Sequence, residues 1–131
     1  MTTEYTCLTI MTLFFMFAWA PISVGKFQAF GGRWLASNRK PLPGKELAPW
    51  AARCERAYNN LKDYFPAYVV AILVLGAQNK FDQGTSYAAM IFLMARVGHY
   101  ISYGLGNVPA RFGFFTTSLV ANLYLLIKIF I

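Results

Sequence analysis

Four stretches of this chain carry no Asp, Glu, Lys or Arg: residues 5–25, 64–79, 83–95 and 112–127. Nothing else restricts the fold as strongly. A helix needs about 20 residues to cross roughly 30 Å of hydrocarbon, and in lipid the backbone must satisfy its own hydrogen bonds, which only helices and closed barrels do. The first stretch is long enough to cross alone. The other three cross only if their flanking turns are helical and the bordering charges face protein or snorkel to the interface. The expected fold is all-α: an integral membrane four-helix bundle, left-handed, forming one domain over 1–131. Its spans lie near 5–25, 56–79, 84–103 and 111–130, with a basic loop over 26–55, and the second helix begins near Pro49 or Trp50 before it enters its span. Because 57% of the residues are hydrophobic and only 13% charged, a soluble apolar bundle is the weaker reading.

The formal charge of +7 does not call for nucleic acid, because the cations are not interleaved with aromatics as a binding platform. Eight of the twelve lie in or beside the first connection: Lys26, Arg33, Arg39, Lys40, Lys45, Arg53, Arg56 and Lys62. Such a loop between spans belongs on the cytoplasmic side and favours anionic headgroups. Both termini and the 80–83 turn then lie opposite it. Ala18-Trp19-Ala20 imitates a signal-peptidase site, but the N-terminal residues lack Lys and Arg and carry Glu4, so an uncleaved first helix fits better. Cys7 and Cys54 fall near opposite membrane faces, which argues against a disulfide between them.

The run from Arg53 to Pro66, R-C-E-R-A-Y-N-N-L-K-D-Y-F-P, crosses from the basic loop into an apolar stretch. On a helix Arg53, Arg56, Asn60, Asp63 and Tyr64 share an arc of about 100°. Pro66 donates no backbone bond, frees the carbonyl of Lys62 and should loosen that turn. A second stripe, Arg96, His99, Tyr100 and Tyr103, ends the third helix, and antiparallel packing returns it to the level of the first. Arg111 opens the fourth helix, with Ser118 and Asn122 following on its face; Asn122 is expected to hydrogen-bond a neighbouring helix. Charges beside hydrocarbon are costly enough to suggest a functional site. Structural pairing of Asp63 with Arg56 or Arg96 is the plainer alternative, but it leaves a surplus of arginines that an anionic ligand would neutralise. No residue is assigned to a metal.

R-A-x-x-N-x-x-[ED] at 56–63, joined to R-x-x-H-x-x-x-Y at 96–103 and P-A-R at 109–111, resembles the MAPEG family, the membrane-associated proteins in eicosanoid and glutathione metabolism. The resemblance runs from about Arg53 to the end. It implies a homotrimer of four-helix subunits that binds glutathione between neighbours near the cytosolic face. Carried over, Arg56, Asn60 and Asp63 would hold the charged ends of glutathione, with Arg53, Tyr64 and Arg96 completing the binding set. His99 and Tyr103 would join Arg111 in catalysis, Arg111 matching the arginine that stabilises the thiolate. Asp63 stands where glutamate is commoner, Phe112 where some relatives carry a hydroxyl, and the loop before Arg111 is compact. These departures place the chain with small bacterial-type members, hence in a bacterial inner membrane.

The chemistry agrees with that assignment. A thiol of pKa about 8.5 is mostly protonated at neutral pH, yet the thiolate is the nucleophile. A guanidinium lowers the thiol's pKa without competing for its proton. The resulting expectation is a glutathione-dependent transferase or peroxidase acting on lipophilic electrophiles, with glutathione as co-substrate and membrane lipid beside the site. The alternative is a non-enzymatic membrane module that binds anionic lipid or a protein partner through the same basic residues. A small multidrug transporter ranks last, since it wants an acid inside the first span and Glu4 lies at that span's edge.

Overall fold

A computed structural model describes residues 1–131. It is entirely helical: α1 (Thr3–Phe17), α2 (Ala20–Phe30), the short α3 (Gly32–Leu35), α4 (Pro49–Ala77), α5 (Gln83–Leu105) and α6 (Val108–Lys128). Together α1 and α2 form one kinked rod. Pro21 has no N–H for the carbonyl of Phe17, and its ring presses on that carbonyl, so the helix breaks at Ala18-Trp19 and restarts. Tyr100 on α5 donates its hydroxyl to the Ala18 carbonyl at the break, 2.5 Å away.

The helices overrun their expected bounds. The first continues past Lys26 to Phe30, and α4 starts at Pro49, as its proline signals and ahead of the span near 56–79, so the 26–55 loop shrinks to an irregular segment over 36–48 after α3. The reason is that a charge ends a hydrocarbon span without ending a helix. Lys26 reaches Glu55 across the α2–α4 junction at 2.6 Å, which lets both helices project beyond the apolar layer. Pro66 does not interrupt α4, which is continuous from Pro49 to Ala77.

Each long helix has a start signal. Thr2 caps α1, Asp82 and Thr85 form a reciprocal capping box on α5, and Asn107 caps α6. Helix α5 is central and packs on α6, α4 and α1. Small buried residues let the rods approach: Ala57 and Ala71 on α4, Ala88, Ala89 and Ala95 on α5, Ala121 on α6. At Gly98 an added Cβ would lie 2.7 Å from the Phe114 ring, so the α5–α6 crossing has no room for a side chain there. Tyr68 stacks on Phe92 in the core, ring centroids 4.0 Å apart.

Large apolar side chains cover the outside as well as filling the core. Phe17, Met94, Leu105, Phe112 and Val120 are all more than half exposed. A surface this apolar needs lipid or protein against it. The rod Thr3–Phe30 and helix α6 are each long and apolar enough to cross a membrane by themselves.

Glu4 lies at the edge of the first span, in the first turn of α1, yet it is not left to solvent. It is buried, 2% exposed, and accepts hydrogen bonds from Thr85 Oγ1 at 2.6 Å and Ser86 Oγ at 2.8 Å in the first turn of α5. The positive end of the α5 dipole compensates its charge. Nearby, Asp82 pairs with Lys128 at 2.8 Å and ties the α4–α5 turn to the end of α6. Cys7 and Cys54 are both buried and free.

Two outcomes follow from this membrane end. Glu4→Ala removes the acceptor shared by the buried Thr85 hydroxyl and the half-buried Ser86 hydroxyl and should cost about 1–3 kcal/mol, read as a lower thermal midpoint in detergent. The Lys128 ammonium and the Thr85 N–H hold the Asp82 carboxyl below its ordinary value. A lowered carboxyl contributes stability that is fully present above its unfolded value, about 3.9, and is lost as pH falls through the folded one. Thermal scans should therefore show this contribution constant from neutral pH to about 5 and declining below about 4, and Asp82→Asn should lack that decline.

Candidate functional site

At the other end of the bundle, Arg53 and Arg56 on α4, Ser102 and Tyr103 on α5, Gly106 and Asn107 in the turn, and Val108 and Arg111 on α6 line a cavity of about 200 Å³. Three guanidinium groups meet there with no carboxylate among the lining residues. Arg111 lies over the Tyr103 ring, 4.5 Å from its centroid, close enough for a cation–π contact. Arg53 is anchored, its Nε donating to the Gly104 carbonyl at 2.9 Å, while Arg56 is exposed.

The turn between α5 and α6 sets this geometry. Gly106 ends α5 in the left-handed region, φ 78°, where a Cβ would be disfavoured. Asn107 then caps α6 through Oδ1, accepting from the Ala110 N–H at 3.1 Å. The Arg111 amide bonds the Asn107 carbonyl at 3.0 Å, so Arg111 sits one turn inside α6 rather than opening it. Val108 and Arg111, three residues apart, share the face turned to the cavity.

The remaining expected residues do not gather at this cavity. Arg96 points inward and is 1% exposed. It donates to the Asn60 carbonyl on α4 at 3.2 Å and to Ser118 Oγ on α6 at 3.4 Å, and lies 5.1 Å from the centroid of the Tyr64 ring. His99 is buried between Tyr103, 5.6 Å away by ring centroid, and Phe115, 6.0 Å away. Tyr64 meets Phe115 edge-on at 5.2 Å. A seam of packed rings thus connects the arginine cavity to the buried guanidinium through Tyr103, His99, Phe115 and Tyr64.

Asn60 is half-buried and its Oδ1 has no partner. Asp63 is exposed and makes no ion pair, so its pairing with Arg56 or Arg96 is absent; the α4 rotation that turns Asn60 inward turns Asp63 out. Asn122 does not bond a neighbouring helix either: its Oδ1 is buried with no donor in reach. Sequence reasoning misses Ser102, Gly106, Asn107 and Val108 as lining residues. Only Asn107, a capping residue two before Pro109, carries a local signal, and that signal is structural. Ser118 is expected on the Arg111 face but not as a partner of Arg96.

A helical protein with so apolar an exterior, and with two rods able to cross a bilayer, belongs to a membrane class, and three arginines meet in a cavity at one end of its bundle. More specifically, the chain matches the MAPEG family over residues 4–131, essentially its whole length, and belongs to that family. The family's work is membrane-bound, glutathione-related transfer or a related function. No curated protein and no solved structure matches the chain.

Gly106→Ala would force a side chain into the left-handed region at the turn beneath the cavity, with its Cβ 3.5 Å from Arg53 Nε. The expected cost is about 1–2 kcal/mol, visible as a lower midpoint in thermal unfolding.

Proposed function

We propose that this protein is a membrane-embedded glutathione-dependent transferase or peroxidase acting on lipophilic electrophiles. One observation carries the reading: Arg53, Arg56 and Arg111 converge on a single cavity that holds no carboxylate to neutralise them. Glutathione brings two carboxylates, one ammonium and a thiol. Arg53, Arg56 and Asn60 hold its carboxylates, and Asp63, one helical turn away on the exposed side, receives its ammonium. Tyr64 and Arg96 shape the binding end from within the bundle.

Arg111 stabilises the thiolate. A guanidinium attracts the sulfur anion and does not take the proton back. Tyr103, beneath the guanidinium, limits where it can lie, and His99 backs Tyr103. The thiolate attacks the electrophilic carbon of a lipid-dissolved substrate, adding to its activated double bond or expelling its leaving group; with a hydroperoxide it attacks the outer oxygen, breaks the O–O bond to release the alcohol, and the resulting sulfenic acid is reduced by a second glutathione to the disulfide and water.

The cavity's size supports assembly. At about 200 Å³ it falls below the roughly 300–1,000 Å³ of a typical ligand site. The opposite face of α4 carries a second cavity of about 380 Å³, with Lys26, Arg39, Tyr58 and Lys62 in its wall. Two unlike faces that meet head to tail close into a ring, which fits a homotrimer with glutathione between subunits. The four long rods then form four spans, with the 36–48 segment and its flanking cations in the cytoplasm of a bacterial cell and the protein in its inner membrane.

The second reading, a non-enzymatic module for anionic lipid, draws on the exposure of Arg56 at the same cavity. Thermal shift separates the two: glutathione should raise the midpoint by mass action, whereas a shift from anionic lipid alone selects the module. For the enzyme, Arg111→Ala should lower turnover by about 100-fold without changing assembly. Unchanged turnover, with glutathione bound, would remove Arg111 from its role.

A further inference from the structure

Arg96 has the largest fully buried side chain in the molecule, and it has no counter-ion. The chain's two ion pairs are Lys26–Glu55 and Lys128–Asp82, both distant from it in the fold. It is also absent from the wall of the cavity formed by Arg53, Arg56 and Arg111. A guanidinium buried in a membrane bundle without a carboxylate is expensive, so its contacts are informative.

Those contacts lie on three helices. From α5, one terminal nitrogen donates to the backbone carbonyl of Asn60 on α4, and the other to the hydroxyl of Ser118 on α6. The hydroxyl of Ser118 in turn donates to the Phe115 carbonyl at 2.8 Å. The guanidinium also lies 5.1 Å from the centroid of the Tyr64 ring and 5.9 Å from that of Phe92. Asn60 and Tyr64 are thus each gripped by the backbone or the ring, while the Asn60 amide oxygen remains unpartnered. The gripped turn needs holding, because Pro66 gives no N–H to the Lys62 carbonyl and leaves this part of α4 with one helical bond fewer. A planar fork can bond two helices and stack on a ring at once; an ammonium cannot.

From this geometry we infer that Arg96 is a positioning residue and not a ligand contact. It fixes the Asn60–Tyr64 turn of α4 against α6, so that the Asn60 amide and the Tyr64 ring are already in place when the thiol peptide arrives. This rests on the glutathione reading for its ligand, although the clamp itself does not. The arginines then divide by role, Arg53, Arg56 and Arg111 meeting the ligand while Arg96 acts through α4.

The test uses the full-length protein in detergent with Arg96→Lys and Ser118→Ala. In Arg96→Lys, glutathione affinity and KM should worsen about tenfold, the equivalent of one lost charge-assisted hydrogen bond. The thiolate absorbance at saturating glutathione should persist, because Arg111 is untouched. Hydrogen exchange of the amides from Asn60 to Tyr64 should quicken about tenfold relative to the other helices. Ser118→Ala, which removes one partner and retains the charge, should shift affinity and exchange the same way by about threefold. Should Arg96→Lys fail to fold, a Ser118→Ala protein identical to the parent in both measurements overturns the inference. Loss of the thiolate signal at saturation in Arg96→Lys also overturns it, by making Arg96 a direct contact. Absence of any saturable thiolate signal in the unaltered protein sinks the glutathione reading instead. Exchange at Asn60–Tyr64 then decides the clamp alone, and unchanged exchange in Arg96→Lys refutes it.

Discussion

A charge beside hydrocarbon has to be hydrated, paired or wrapped in donors and acceptors, and the rest of this structure depends on how each charge is treated. Glu4 is wrapped by hydroxyls at the positive end of α5. Asp82 and Lys128 pair where the chain turns. Lys26 and Glu55 pair where α2 and α4 leave the apolar layer. Arg96 is wrapped by a carbonyl, a hydroxyl and two rings. The arginines at the α5–α6 turn gather with no carboxylate among them: Arg53 holds a backbone carbonyl, Arg111 lies over a ring and Arg56 is left to solvent, and on the proposed reading an anion completes them.

The existence and order of the long helices were legible because charge-free runs leave the chain little choice in lipid. Their ends were not. Charge marks where hydrocarbon stops, whereas a helix stops where caps and prolines say so. Pro49 is the exception, a readable start for α4 ahead of Arg53 and Arg56, whereas Asn107 and Gly106 set the start of α6 and the end of α5 in positions that Arg111 and the stripe ending at Tyr103 do not predict. Pro21 broke the first rod within a run that hydropathy treats as uniform, since hydropathy does not register a missing N–H. Pro66, by contrast, left α4 continuous: packing on both sides held a turn that local chemistry had weakened.

For the site, residue types were readable but rotations were not. An arc of about 100° contains residues facing a cavity, the core and the exterior of one helix. On α4 it held Arg53 and Arg56 toward the cavity, Asn60 and Tyr64 toward the interior, and Asp63 outward. The second stripe divided likewise, with Tyr103 lining the cavity, His99 behind it and Arg96 in the core. Arginine's chemistry suits a ligand contact and a structural clamp equally well, and only its neighbours distinguish them. Ser118 shows the reverse case: a hydroxyl on a helix face carries no signal until the arginine opposite it is known.

The division between clamp and cavity has a physical logic. Groups that meet an anionic ligand should stay solvated until it arrives, because burying them unpaired would oppose folding. Their flexibility then threatens precision, since each long side chain must be ordered on binding. Rigidity has to come from behind. Here the rings of Tyr103, His99, Phe115 and Tyr64 form a continuous packed wall, and Arg96 bolts that wall to α4 and α6. Arg111 lies over the face of Tyr103, and Tyr103 packs on His99. On the proposed reading the buried arginine and those of the cavity are two halves of one arrangement: the first makes the site's shape independent of the ligand, and the second leaves its charge to be neutralised by it.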